Sequence, residues 1–109
     1  MSEPASISAG IAGRYATAVF ELAKEAKGLS GLEADVAALA QALKDSADLR
    51  EVIASPVFSR DEQGRAMSAL AVRMGLSSTV ANTLALMAAN RRLFVLPQLL
   101  AALGEMIAE

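Results

Sequence analysis

Carboxylate pairs are the residues of this 109-residue sequence whose spacing comes closest to acid–base chemistry. Glu21 with Glu25, and Asp61 with Glu62, each bring two carboxyl groups close together along the chain. General acid–base catalysis requires such a group to stand beside a nucleophile, a metal ligand or a second perturbed group. Nothing of that kind is near either pair in the sequence. Both pairs are therefore predicted to lie on solvated helix faces, and an enzymatic function is disfavoured.

The amino-acid composition excludes further kinds of site. The sequence contains no cysteine and no histidine, which removes disulfides, thiol nucleophiles, soft-metal ligands and imidazole proton carriers. The segment Gly10–Gly13 lacks the preceding strand and the further glycines of a phosphate loop, and we expect no cofactor. The net charge is −2 with both signs mixed, so no nucleic acid is predicted as a partner. Binding to another protein remains the expected role.

The hydrophobic pattern predicts an all-α fold, specifically a compact six-helix bundle. Apolar residues make up 54% of the chain, much of it alanine, and aromatic residues only 4%, so the helices are expected to approach each other closely. No segment shows the alternation of a half-buried strand. Residues 1–10 are predicted to be a flexible lead-in, and residues 11–109 to form the helical domain.

Local capping signals divide this domain into its helices. The first is predicted from Ile11 to Lys27, stopped by Gly28. The spacings Ser30–Glu33 and Ser59–Glu62 are typical of capping boxes and predict the starts of the second and fourth helices. The other predicted boundaries are a third helix from Ser46 to Ala54 ended by Pro56, a terminator at Gly75, a fifth helix from Ser77 or Ser78 to Arg91, and a sixth from Phe94 to Ala108 with Pro97 in its first turn.

Two of these helices carry apolar residues outside a single packing stripe. In the first helix the residues on the edge between the polar and apolar sectors are Tyr15, Ala18 and Leu22, and in the fifth helix Leu86 lies opposite the apolar face, among Asn82, Thr83 and Asn90. Both residues also have an ordinary structural explanation. Leu86 can be a leucine that packs under a loop or another helix, and Tyr15 can be a core tyrosine with its hydroxyl at the surface. Taken together, the two faces predict a groove that accepts an amphipathic helix of a partner.

Two segments of the sequence match motifs that occur together in one protein family. The segment Gly13–Ala23, GRYATAVFELA, resembles the opening helix of the ATP synthase delta subunit, the family of the mitochondrial oligomycin-sensitivity-conferring protein. Leu86–Leu93, LMAANRRL, with the following Leu96–Pro97, resembles the family's junction between helices five and six. The stop at Ser55–Pro56 also fits, and the resemblance covers essentially the whole chain.

The resemblance implies a non-catalytic stator component of an F-type ATP synthase, which links the catalytic head to the peripheral stalk for proton-driven ATP synthesis. It implies that this chain is the N-terminal bundle and binds the N-terminal helix of an alpha subunit in a groove between helices one and five. A C-terminal region absent from this chain is expected to bind the b-type stalk subunits. The expected location is peripheral to the energy-coupling membrane, on the cytoplasmic side in bacteria, without membrane insertion. The isolated domain is expected to be monomeric.

The same resemblance nominates partner-binding residues. The first motif gives Tyr15 and Ala18, the second gives Leu86 and Asn90, and helical geometry adds Leu22 and Asn82. The role of Arg91 stays open, because some family members have glycine at this position. The basic run Asn90–Arg92 is also explained as a helix end where positive charge is favoured by the macrodipole. The alternative function is that of a generic helical interaction module in another assembly.

Overall fold

The computed structural model describes the backbone of residues 3–108 and the side chains of residues 9–108. Within this range the chain forms six α-helices and no strand, which confirms the predicted all-α bundle. The elements are α1 (Glu3–Glu25), α2 (Leu29–Asp45), α3 (Ala47–Ala54), α4 (Arg60–Met74), α5 (Ser78–Ala89), a 3₁₀ turn (Leu93–Val95) and α6 (Leu96–Ala108).

Small side chains on α1 let this helix pack closely against α5 and α6. Ala12, Ala16, Val19 and Ala23 recur at spacings of three and four residues and are at most 4% exposed, so they form one stripe that faces the core. α6 packs in turn on α2, and α4 packs on α5. The largest fully buried side chains are Leu32, Leu39, Met67, Leu84, Met87, Leu93, Val95 and Leu96.

The predicted helix ends that depend on local chemistry are confirmed for α3 and α4. The Ser59 hydroxyl accepts a hydrogen bond from the Glu62 amide at 3.1 Å, and a Glu62 carboxylate oxygen accepts one from the Ser59 amide at 2.8 Å. Ser46 caps α3 by accepting from the Leu49 amide at 3.1 Å. Gly75 ends α4 with φ 65°, a left-handed conformation that glycine adopts without steric cost.

The predicted start of the first helix is wrong. α1 begins at Glu3 rather than near Ile11, so the predicted lead-in is helical from Glu3 onward. Residues 1 and 2, where the lead-in prediction also falls, lie outside the described residues. Pro4 does not prevent an early start, because in the first turn of a helix it lacks only an N–H group that has no helical acceptor.

The connection between α1 and α2 also differs from the prediction. Lys27, rather than Gly28, takes the left-handed conformation with φ 57°. The amides of Lys27 and Gly28 donate back to the carbonyls of Lys24 and Ala23 at 3.1 and 2.7 Å, the pattern of a Schellman C-cap. Gly28 then serves as the N-cap of α2 without any side-chain cap. The predicted capping box at Ser30 is therefore wrong, because the helix has already begun at Leu29.

The ends of α5 decide where its exposed residues point. At the start, the Ser77 hydroxyl accepts from the Val80 amide at 3.4 Å, and the buried carboxylate of Asp35 on α2 accepts from the Ser77 amide at 2.9 Å. At the other end α5 stops at Ala89, two residues before the predicted Arg91. The 3₁₀ turn then occupies the predicted start of the sixth helix, and Pro97 lies in the first turn of α6 as predicted.

Candidate functional site

One strip of α1 lies beside its core stripe and stays accessible. Ile11, Tyr15, Ala18 and Leu22 follow one another at spacings of four, three and four residues, which places them on one side of the helix. Ile11 and Tyr15 are partly buried against the core, Ala18 is exposed, and Leu22 is 53% exposed. α1 therefore presents an apolar strip that the bundle itself covers only in part.

α5 separates its core residues from a second, exposed set. Its residues Val80, Leu84, Met87 and Ala88 are buried, as the sequence predicts. Leu86 is 52% exposed, and Asn82 and Asn90 are exposed one turn before and one turn after it. A leucine that is half exposed and lies between two amide side chains is not a core residue. It forms one surface with the strip on α1 only if the two helices meet.

The two exposed sets do meet, at an open groove that we call the α1/α5 groove. It has a volume of about 350 Å³ and is lined by Ile11, Arg14, Tyr15, Ala18, Leu86 and Arg92. The side-chain amide of Asn90 donates to the Tyr15 hydroxyl at 3.2 Å. Val19, four residues after Tyr15 on α1, lines the same internal space as Val80 and Leu84, which precede Asn90 on α5, so the two helices are antiparallel along this groove.

The structure brings together four of the six predicted residues. Tyr15, Ala18 and Leu86 line the groove, and Asn90 is joined to it by its hydrogen bond to Tyr15. Leu22 and Asn82 are exposed one turn further along their helices and do not line this cavity.

Three residues that line the groove were not predicted from the sequence: Ile11, Arg14 and Arg92. Ile11 had a usable signal, since it stands four residues before Tyr15 on the same strip. Helical periodicity places Arg14 among the polar residues of the first helix, and Arg92 belongs to the basic run that the sequence explains as a helix end. Their meeting at one groove depends on how α1 and the turn after α5 pack, which the sequence does not display.

The turn after α5 explains how Asn90 and Arg92 both reach the groove. Arg91, between them, has φ 57°, and the amides of Arg91 and Arg92 donate to the carbonyls of Ala88 and Met87 at 3.1 and 2.7 Å. This is again a Schellman cap, here with a side chain where glycine would avoid a cost of about 1–2 kcal/mol. The turn sends the chain back toward the core at Leu93.

The Arg91 side chain holds this turn on the side away from the groove. One of its guanidinium nitrogens, Nη1, donates to the Phe58 carbonyl at 2.8 Å and to Gln63 Oε1 at 3.3 Å. Gln63 is 4% exposed and donates its own amide to the Val52 carbonyl at 2.9 Å. We call this cluster the Arg91–Gln63 corner. In this structure Arg91 tethers the end of α5 to α4 and to the loop that precedes α4.

The titratable groups lie mostly outside the groove. The predicted carboxylate pairs are exposed, and the hydrogen bonds from the Ser59 backbone and side chain lower the pKa of the Glu62 carboxyl below its ordinary value. Within the described part of the chain, no three acidic side chains cluster so as to hold a metal ion. None of the described helices has both the length and the apolar character required to cross a bilayer.

Comparison with known proteins decides the family. The sequence profile of the ATP synthase delta (OSCP) subunit family matches residues 11–109. The chain belongs to this family. The match includes the whole α1/α5 groove and both segments that carried the resemblance in the sequence.

Individual relatives agree with the family. ATP synthase subunit delta of Rhodobacter capsulatus is 64% identical over 109 residues, and those of Jannaschia sp. and Roseobacter denitrificans are 61% and 60% identical. Each match covers all of this chain and 59% of the relative, so the chain spans about three-fifths of the length of these subunits.

A solved structure of the same family of assemblies has a similar fold. One chain in the cryo-EM structure of the Toxoplasma gondii mitochondrial ATP synthase hexamer superposes with a TM-score of 0.79 at 31% sequence identity. The similarity covers 84% of this chain and 51% of that chain. The bundle of this chain is thus similar to a component of a mitochondrial ATP synthase.

Proposed function

We propose that this chain is a non-catalytic stator domain of an F-type ATP synthase and that its α1/α5 groove binds the N-terminal helix of an alpha subunit. The observation that carries the proposal is the accessible apolar groove with Tyr15, Ala18 and Leu86 on its walls. Membership of the delta subunit family supports the assembly. The groove supports the form of the partner, since antiparallel helix walls accept an amphipathic helix.

The apolar side chains that the bundle leaves accessible would supply the binding energy. Leu86 and Leu22 are each about half exposed, at 52% and 53%, and complete burial of a leucine contributes roughly 1.5–3 kcal/mol relative to full exposure. Ala18 adds little area but leaves room for a large side chain of the partner. A partner helix with apolar residues three and four positions apart would cover these positions together.

The proposed mechanical role follows from the same properties. A stator must hold the catalytic head against the torque of rotation, so its contacts must dissociate slowly and its own structure must deform little. Buried apolar contacts in a preformed groove supply slow dissociation without a large ordering cost. In this proposal the rest of the full-length subunit binds the b-type stalk subunits. The domain lies peripheral to the energy-coupling membrane, on the cytoplasmic side in bacteria.

Titration with a synthetic peptide of the alpha-subunit N-terminus tests the proposal. The wild-type domain is expected to bind with 1:1 stoichiometry, and Leu86→Asp is expected to abolish binding because it places a charge in the desolvated contact. Val72→Asp on α4, where Val72 is 82% exposed, is the matched control and should bind as the wild type does. Equal affinity of Leu86→Asp and wild type would overturn the assignment of the groove, and circular dichroism checks that helicity is unchanged.

A further inference from the structure

The outer edge of α1 along the groove carries a change of charge. Arg14, Glu21 and Glu25 are separated by seven and four residues, so they fall on one edge of the helix, beside Ala18 and Leu22. All three are exposed. The edge is therefore positive beside Ile11 in the groove and negative beside Leu22, one turn beyond the residues that line it.

The wall formed by α5 and the turn after it adds a positive charge near Ile11 and no charge near Leu22. Arg92, beyond the end of α5, lines the groove together with Arg14. Among the described residues, neither guanidinium donates a hydrogen bond to protein. α5 itself, Ser78–Ala89, contains no ionisable side chain, and Lys24 lies further round the polar face of α1. Two arginines therefore line one end of the groove, and two glutamates lie where the strip on α1 continues beyond its other end.

We infer that the groove binds its helix in one direction only, with acidic residues of the partner beside Arg14 and Arg92 and basic residues beside Glu21 and Glu25. The inference rests on the proposed function, because it concerns the same groove and partner. At 1.5 Å per residue, the seven to eleven residues between the two ends span roughly 10–16 Å, or two to three helical turns. The partner should carry its opposite charges at a similar separation.

Charge is the feature of this groove that distinguishes the two directions. An apolar stripe with spacings of three and four residues presents a similar surface whichever way the helix runs. Opposite charges at the two ends favour one direction and place like charges together in the other. A stator contact needs this selection, because a reversed helix would leave the rest of the alpha subunit on the wrong side of the domain.

An exchange of charges between the two ends tests the inference without changing the net charge. The exchanged domain carries Arg14→Glu, Arg92→Glu, Glu21→Lys and Glu25→Lys. A nitroxide label at the N-terminus of the alpha N-terminal peptide reports the direction of binding, because it broadens the amide signals nearest to it. In the wild-type domain the broadened signals should lie at one end of the groove, either around Ile11 and Arg92 or around Leu22 and Asn82, and in the exchanged domain they should lie at the other end. At high ionic strength both ends should be broadened in each domain, because screening removes the selection.

The outcomes separate this inference from the proposed function. If the broadened signals lie at the same end in both domains, directional selection by charge is overturned, while binding in the groove stands. If the wild-type domain does not bind the peptide, the proposed function fails and the inference fails with it. Should the quadruple variant not fold, the double variant with Arg14→Glu and Glu21→Lys, which also leaves the net charge unchanged, gives the same test with a smaller difference in charge between the ends.

Discussion

Two open grooves flank α5, and they differ in what their walls offer to a partner. The groove between α4 and α5 has the larger volume, about 770 Å³ against about 350 Å³ for the α1/α5 groove. Its walls combine charged and hydroxyl side chains of α4 with Gly64, Ala85 and Ala89. Among the residues that the structure describes, no large apolar side chain lines it. The α1/α5 groove is smaller but has Ile11 and Leu86 on its walls.

The comparison shows that the character of the lining, rather than the volume, marks the candidate site. Binding energy in an interface comes from a few well-buried anchors, while wide polar surfaces contribute little. α5 presents its exposed leucine to one flank and only alanines to the other. The same helix thus has one flank suited to a tight contact and one that is an ordinary solvated surface. The predictions below test this difference, beginning with the largest expected effect.

An aspartate on one flank of α5 should act differently from an aspartate on the other. Ala18→Asp puts a carboxylate in the α1/α5 groove and is expected to weaken binding of the alpha N-terminal peptide by at least about a hundredfold. Ala85→Asp makes the same change in the α4/α5 groove and should leave the affinity within roughly twofold. Calorimetric titration measures both. An Ala85→Asp variant that loses binding while Ala18→Asp keeps it would reverse the comparison.

The Arg91–Gln63 corner should determine stability rather than binding. Gln63→Leu removes an acceptor from the Arg91 guanidinium and the donor to the Val52 carbonyl, and is expected to lower the free energy of unfolding by about 1–3 kcal/mol. Urea unfolding measures this loss. The affinity for the alpha peptide at a temperature where the variant is folded should stay within roughly twofold. A large loss of affinity in the folded variant would show that the corner belongs to the binding site.

The hydrogen bond between Asn90 and Tyr15 should make a modest contribution to binding. Tyr15→Phe removes the acceptor and keeps the ring, so we expect the peptide affinity to fall by roughly twofold to fivefold. Asn90→Ala removes the donor. If the two groups act as a pair, the double variant should lose little more than either single variant. Strictly additive losses would indicate that each side chain contacts the partner separately.

The capping box of α4 should contribute to stability in a pH-dependent way. The pKa of Glu62 in the folded chain lies below its ordinary value of 4.5, chiefly because its carboxylate accepts from the Ser59 amide. A lowered folded pKa stabilises the fold above the ordinary pKa, and this contribution is lost as the pH falls through the folded value. The stability difference between wild type and Glu62→Gln should therefore shrink on acidification below pH 4.5. A difference independent of pH would contradict this account.

The elements that could be predicted from the sequence are those specified by adjacent residues. The box at Ser59, the cap at Ser46, the stop before Pro56 and the glycine at Gly75 each depend on chemistry within four residues. The capping-box spacing at Ser30 was misleading, because the reverse turn through Lys27 leads directly into α2. The left-handed conformation of Lys27 and of Arg91 is imposed by the packing of the helices that each residue connects.

The candidate site likewise combines residues that could be predicted from the sequence with residues that could not. The accessible positions Tyr15, Ala18 and Leu86 follow from helical periodicity, which the sequence displays directly. The meeting of Arg14 and Arg92 depends on the antiparallel packing of α1 with α5 and on the conformation of Arg91. Their contribution to one groove could not be predicted from spacing, since these two residues are 78 positions apart in the chain.

Chemical-shift mapping of the ¹⁵N-labelled domain tests the central claim most directly. The alpha N-terminal peptide is added stepwise while the amide signals of both flanks of α5 are followed. The account predicts saturable shifts that concentrate at residues 11–22 of α1, at Leu86 and at Arg92, with the signals of residues 60–68 on α4 unchanged. Shifts centred on the α4/α5 groove, or no saturable shift at all, would contradict it.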